Sequence, residues 1–259
     1  MLRGIAGETF RKMLREMHGK IHGKIHGGIS NMYKCIVFDL DGTLADTFEG
    51  ISHAYRRAFD TLGRPFPGEG FVRRAIGAPL PLAFAQYGGL EEGRIRQAVA
   101  AYRQYYAQQG RHQARAYAGT AQALTRLREA GCRLCVATLK NEEFAREMLR
   151  ELGLLPYFHT VCGMDADDSL TKAALIGRCR ERAGAERRET LMVGDSLFDA
   201  QGAEEAGVDF LAVTYGFGFR TPESARAAGA AMAAGSPEEA ARRILGRTAG
   251  ASAASPAGL

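Results

Sequence analysis

Cys35-Ile36-Val37-Phe38-Asp39-Leu40-Asp41-Gly42-Thr43 decides how this chain is read, because an apolar run ends in two carboxylates one residue apart. An apolar stretch without polar alternation is the mark of a strand covered on both faces, as in a parallel sheet. Open α/β sheets place their ligands at the carboxyl ends of such strands. Two acids one residue apart in an extended segment would face opposite sides. A strand that ends at Asp39, followed by a turn at Gly42, lets both address one cation. Hard oxygen ligands of this kind suit Mg²⁺, which is usually held by one or two carboxylates plus substrate phosphate oxygens. Asp41-Gly42 also reads as a solvated turn, since Asp-Gly is a common hairpin signal.

Three later segments bear on the choice between site and turn. Leu134-Cys135-Val136-Ala137 closes on Thr138, Lys172 follows, and Thr190-Leu191-Met192-Val193 leads into Gly194-Asp195-Ser196-Leu197-Phe198-Asp199. Taken singly they are weak: a Thr ending a strand is a β-former, a lone Lys is a solvated charge, and Asp195 with Asp199 can simply cap a helix. In this order, however, Asp39-Leu40-Asp41-Gly42-Thr43-Leu44, Thr138, Lys172 and the Gly194–Asp199 run resemble the four motifs of the haloacid dehalogenase (HAD) superfamily. The resemblance spans Tyr33 to Leu245.

That resemblance implies a phosphoryl-transfer site. Asp39 would be the nucleophile, forming an aspartyl-phosphate. Asp41 would be the general acid and then the base, its main-chain carbonyl serving as a metal ligand. Thr138 and Lys172 would bind the phosphoryl oxygens of the substrate. Asp39, Asp41 and Asp195 would hold Mg²⁺, with Asp199 behind them, touching the metal through water or orienting Lys172. A carbon-halogen hydrolase has no use for the acid at Asp41, so its presence implies phosphate esters. The chain departs from the family pattern at Thr138-Leu139-Lys140-Asn141, where relatives often show Thr-Asn-Lys, and this puts in doubt any amide contact after Thr138. Ser169-Leu170-Thr171-Lys172 and Val213-Thr214-Tyr215-Gly216-Phe217-Gly218 are similar to the phosphoglycolate-phosphatase-like and 5′-nucleotidase-like members of subfamily IA.

The 259 residues, 46% hydrophobic and 24% charged, have an ordinary globular composition and room for a sizeable core. Charged residues and Gly interrupt every apolar stretch, which argues against a membrane-spanning helix. Cys35, Cys132, Cys135, Cys162 and Cys179 lack framework spacing and imply a reducing, cytoplasmic setting. Cys132-Arg133-Leu134-Cys135 has redox-motif spacing but runs into a strand instead of opening a helix. The net charge of +5 is concentrated in residues 1–31, where six Lys or Arg stand against two Glu, leaving about +1 for the rest. A nearly neutral body without interleaved aromatic and basic residues gives no nucleic-acid face. The leader repeats His-Gly-Lys-Ile from His18; its three His at four-residue spacing could chelate a metal on a helix, but the interspersed Gly oppose that helix. Residues 1–31 are therefore expected to be a disordered extension, with Met32 as a candidate start of the enzyme.

Further along, periodicity predicts a strand over 34–39, a helix over 48–62, short helices over 69–76 and 79–87, and a longer one over 90–109. The pattern then alternates: helix 120–130, strand 133–138, helix 142–152, strand 159–162, helix 171–183, strand 190–194, helix 198–206, strand 209–213. A weak strand over 230–234 and a helix over 237–245 follow. This is the βαβ rhythm of a parallel sheet with right-handed crossovers. The expected fold is α/β: a HAD-like Rossmannoid core over 32–46 and 118–246, an all-helical C1 cap over 47–117, and a disordered tail over 247–259. Cap candidates for substrate contact are Arg73, Arg74, Tyr102, Arg103, Tyr105, Tyr106 and the loop Ile76-Gly77-Ala78-Pro79-Leu80. The expected activity is Mg²⁺-dependent hydrolysis of a small phosphorylated metabolite, phosphoglycolate or a nucleoside monophosphate. A β-phosphoglucomutase-like phosphosugar mutase and a non-catalytic regulatory module are the alternatives.

Overall fold

The computed structural model describes residues 33–165 and 169–249. The expected leader over 1–31 lies outside them, as does the tail from 250 onward. Parallel strands form a six-stranded sheet in the order β5-β4-β1-β6-β7-β8. These are β1 Cys35–Phe38, β4 Arg133–Asn141, β5 Thr160–Met164, β6 Thr190–Gly194, β7 Asp209–Val213 and β8 Met232–Ala234. β1 lies between β4 and β6, with Phe38 level with Val136 on one side and Val193 on the other. The chain runs outward from β1 in both directions, so the end of β1 is the topological switch point, where a crevice opens.

Side chains alternate across the sheet as a two-residue period demands. Ile36, Phe38, Leu134, Val136, Leu191, Val193, Leu211 and Val213 are buried on one face, with α4 (Thr120–Glu129), α5 (Glu142–Glu151) and α9 (Pro237–Ala249) contributing to the same layer. Cys35, Val37, Cys135, Ala137, Met192 and Ala212 are buried on the other, with α6 (Lys172–Arg182) and α7 (Leu197–Ala206). All five cysteines are buried free thiols. α9 continues to Ala249, past the end expected at Leu245 and into the stretch expected to be disordered. α8, Pro222–Ala227, was not foreseen.

Helices fill most of the stretch between β1 and the alternating part of the fold. They are α1 (Phe48–Thr61), α2 (Glu69–Ala75), a turn at Leu80–Leu82 running into a π-helical segment at Ala83–Tyr87, and α3 (Glu92–Gln108). Their own core is aromatic: Tyr55 packs on Phe71, Phe84 and Tyr102 with ring centroids 4.8, 5.2 and 4.7 Å away, edge-on or tilted, the arrangements that ring quadrupoles favour. α1 meets the turn after α3 with no side chain between them, since a Cβ on Gly50 would sit 2.0 Å from the Gly110 carbonyl oxygen. The expectation of an all-helical insert needs one correction. β2 (Ala45–Asp46) and β3 (Arg115–Ala116) pair antiparallel where the chain leaves the sheet and where it returns. Two residues each are too few to register as apolar periodicity, and half of them are charged.

Candidate active site

Asp39 follows β1 directly, and its backbone N–H donates to the Val193 carbonyl, extending the sheet by one bond (2.9 Å). Gly42 makes the turn that follows with φ +86°, and a Cβ there would lie 2.4 Å from Asp195 Oδ2. Only glycine adopts that conformation freely, and only glycine leaves room for the carboxylate. Asp195 follows β6 and turns Oδ2 toward the N–H groups of Phe217 and Gly218, 2.7 and 3.1 Å away. Ser196 caps α7 and, through its N–H and hydroxyl, donates to Asp199 Oδ2 at 3.0 and 2.7 Å, a capping box that fixes Asp199 in the first turn.

Lys172 opens α6 and ties these segments together. Its Nζ donates to Asp39 Oδ1 at 2.7 Å and to the Ala137 carbonyl at 3.0 Å, and it pairs with Asp199 Oδ1 at 2.8 Å. Oxygens of Asp39, Asp195 and Asp199 all lie within 4.8 Å of one another, and this group could hold a metal ion. Burial pushes the Asp39 carboxyl up to about 7, against the opposing pull of Lys172. Burial, reinforced by Asp199 and Asp39, holds Asp195 well above the usual carboxylate range. Burial alone would depress Lys172, but Asp199 and Asp39 outweigh it and raise its affinity for the proton. Three dry carboxylates, two of them paired to one ammonium, are short of positive charge, and hard oxygen donors in that state fit a small divalent cation.

Thr138 lies buried within β4. The register of β4 against β5 shifts between Ala137 and Asn141, an irregularity of the kind that re-aims side chains beside active sites. Two residues on, Lys140 Nζ pairs with Asp41 Oδ2 at 2.9 Å and donates to the Tyr106 hydroxyl at 2.8 Å. The sequence reading treated Lys140 only as part of a departure from pattern. Its partners come from the turn after β1 and from α3, far away in sequence, so the sequence carried no signal for it.

Asp39, Asp41, Thr138 and Lys172 floor a cavity of about 450 Å³. Its upper wall comes from the helical stretch: Tyr55, Tyr102 and Tyr106, with the whole Ile76–Leu80 loop. Of the other expected contact residues, Arg103 also lines the cavity. Arg73, Arg74 and Tyr105 do not; Arg73 lies over the Phe48 ring, 4.5 Å from its centroid.

A parallel sheet with acidic strand ends beneath a helix-walled cavity is where open α/β enzymes bind their ligands, and similarity to known proteins identifies the family. Residues 36–213 match the model of the haloacid dehalogenase-like hydrolases. The chain is 36% identical over 187 residues to a 5′-nucleotidase of Pseudomonas aeruginosa, covering 72% of this chain and 85% of that one. It is 31% identical over 201 residues to a phosphoglycolate phosphatase of Vibrio parahaemolyticus, covering 74% and 88%. Among solved structures it resembles protein tyrosine kinase A (PtkA) of Mycobacterium tuberculosis with a TM-score of 0.70 and 29% identity, over 82% of this chain and 98% of that one. The chain belongs to the haloacid dehalogenase-like hydrolases. Within that family it is a phosphoric monoester hydrolase. Among the described residues, no helix is long and apolar enough to cross a membrane.

Proposed function

We propose that the protein is a Mg²⁺-dependent phosphatase that hydrolyses a small phosphomonoester by way of a phosphoryl group carried on Asp39. One observation supports this above others: Asp39, at the cavity floor, is held 2.7 Å from Lys172 Nζ inside the cluster it forms with Asp195 and Asp199. An Asp39 oxygen attacks phosphorus as the bond to the leaving oxygen breaks, and that oxygen takes the proton of Asp41. Water then attacks the phosphorus of the aspartyl-phosphate, giving a proton to Asp41, as the bond from phosphorus to the Asp39 oxygen breaks. Inorganic phosphate leaves, and both side chains return to their starting states. The Thr138 hydroxyl and the Lys172 ammonium bind the phosphoryl oxygens, where negative charge concentrates. Asp39, the Asp41 carbonyl and Asp195 would hold Mg²⁺, which when bound supplies the positive charge the carboxylates lack. Asp195 commits Oδ2 to backbone N–H groups, which leaves its other oxygen for the ion. Asp199 keeps Lys172 aligned.

In this reading residues 47–117 act as a cap over a core made of 32–46 and 118–246, closing over the site to exclude water. The aromatic and aliphatic wall suits a leaving group with apolar or planar surface. Nucleoside monophosphates therefore come first for assay and phosphoglycolate second. Free buried thiols fit a reducing cytoplasm. The test is phosphate release from a panel of nucleotides, phosphoglycolate and sugar phosphates, with Mg²⁺ and with EDTA. Release that needs Mg²⁺ is expected. No release from any ester, or an isomeric sugar phosphate without free phosphate, overturns the proposal.

A further inference from the structure

The proposed reaction accounts for Asp39, Asp41, Thr138, Lys172, Asp195 and Asp199 but gives no work to Lys140. Yet Lys140 is as dry as the catalytic groups, with its side chain 8% exposed, and it lines the same cavity. Placing an ammonium there without purpose would be costly. The Asp41 carboxylate at 2.9 Å and the Tyr106 hydroxyl at 2.8 Å give it two fixed partners there. Its charge also lies 4.6 Å from the centre of the Tyr106 ring, within the range of cation–π attraction.

The two oxygens of Asp41 differ. Oδ2 is taken by Lys140 at 2.9 Å, while Oδ1 is buried and has no hydrogen-bond partner among the described residues. A buried carboxylate oxygen without a partner is unfavourable unless something arrives to use it. From this geometry we infer that Lys140, anchored by Tyr106 of α3, is a positioning residue that fixes the Asp41 carboxyl so that Oδ1 exchanges the proton with the leaving group. When the Asp41 O–H bond breaks and the proton passes to the leaving oxygen, the charge left on the carboxylate lies beside a fixed ammonium. The helical stretch thereby supports the chemistry as well as enclosing it, through the Tyr106 hydroxyl.

The inference rests on the proposed role of Asp41, and the experiment separates the two. Release of the leaving group in a single turnover, which excludes the later attack of water common to all esters, is compared for an alkyl phosphate, whose leaving oxygen needs a proton, and p-nitrophenyl phosphate, whose leaving group does not, in wild type, Asp41→Asn, Lys140→Met, Lys140→Arg and Tyr106→Phe. Thermal unfolding identifies any variant that fails to fold. Asp41→Asn is expected to lose about 10² to 10⁴-fold in that first-turnover rate on the alkyl ester and far less on the aryl ester. Lys140→Met should show the same leaving-group bias at roughly 10 to 10²-fold with KM little changed. Lys140→Arg should recover part of the loss, and Tyr106→Phe should show a weaker form of the same bias. If Asp41→Asn harms both esters equally, the acid assignment falls and the inference with it. If Asp41→Asn shows the bias but Lys140→Met harms both esters equally, harms neither, or changes only KM, the inference alone is overturned. A change confined to KM would mean that Lys140 binds substrate.

Discussion

The floor and the roof of the cavity are built on opposite principles. At the floor, several polar side chains sit at a strand end or in the first turn of a helix and are held by more than one bond: Lys172 reaches three partners, Asp195 is held by two N–H groups, and Asp199 by a capping box. The roof is mainly aromatic and aliphatic surface, joined to the floor by the hydrogen bond from Lys140 to Tyr106. Polar groups that cannot shift without losing several bonds suit chemistry, which tolerates little misplacement. Apolar walls suit the selection of one leaving group over another, where single contacts contribute modestly.

The largest test of this contrast is Asp39→Asn, which removes the nucleophile while keeping the shape. Phosphate release should fall by at least about 10³-fold, with the unfolding midpoint preserved or raised, because a destabilised buried acid is gone. Activity close to wild type would remove the floor from the chemistry. Next comes Lys172→Met. It leaves three carboxylates facing one another, so a kcat loss of roughly 10² to 10³-fold should accompany a stability loss of about 3–5 kcal/mol by urea unfolding, the usual consequence of removing one partner from a buried charge cluster.

A third measurement concerns protons. With Asp39 held up at about 7, the folded metal-free protein retains a proton between the ordinary carboxylate value and about 7 that the unfolded chain has lost. Its contribution to stability therefore falls as pH rises through that window. A divalent cation favours the ionised form, so the rise in unfolding midpoint produced by Mg²⁺ should grow between roughly pH 5 and pH 8. An equal rise at both ends would disconnect the metal from Asp39. The smallest effect is expected at the roof. Tyr102→Leu should alter the ratio of kcat/KM between a nucleotide and phosphoglycolate by about 10-fold, leaving phosphate release from the favoured ester largely intact. A uniform collapse across all esters would show that the wall takes part in the chemistry.

The sheet was legible because its strands are apolar on both faces. Cys35–Phe38, Leu191–Val193 and Phe210–Val213 could hardly be anything else at that length between turn-forming flanks. β4 was harder to read. Its last residues, Leu139-Lys140-Asn141, carry the polarity of a loop but continue the strand, and the register shift that makes this possible is a property of the pair of strands. α8 carried a readable start in Thr221-Pro222, a cap followed by Pro in the first turn, but its length of 6 residues is too short to show a period. The side chains read from the four motifs do meet in space. The pairing of Lys140 with Asp41 and Tyr106 was not readable, because it joins a loop, a strand end and a helix distant in sequence, and three common residue types carry no signal until the fold brings them together.

The small ribbon of β2 and β3 has a consequence of a different kind. Ala45 and Ala116 lie opposite each other in the ribbon, so the seventy or so residues between them begin and end at the same place. Closing a loop there costs little more for a long passage than for a short one, since closure entropy grows only with the logarithm of length. That stretch can therefore lengthen, shorten or be exchanged for another without asking the sheet to change register. The catalytic floor and the selective roof are free to diverge at different rates, joined by a seam four residues wide.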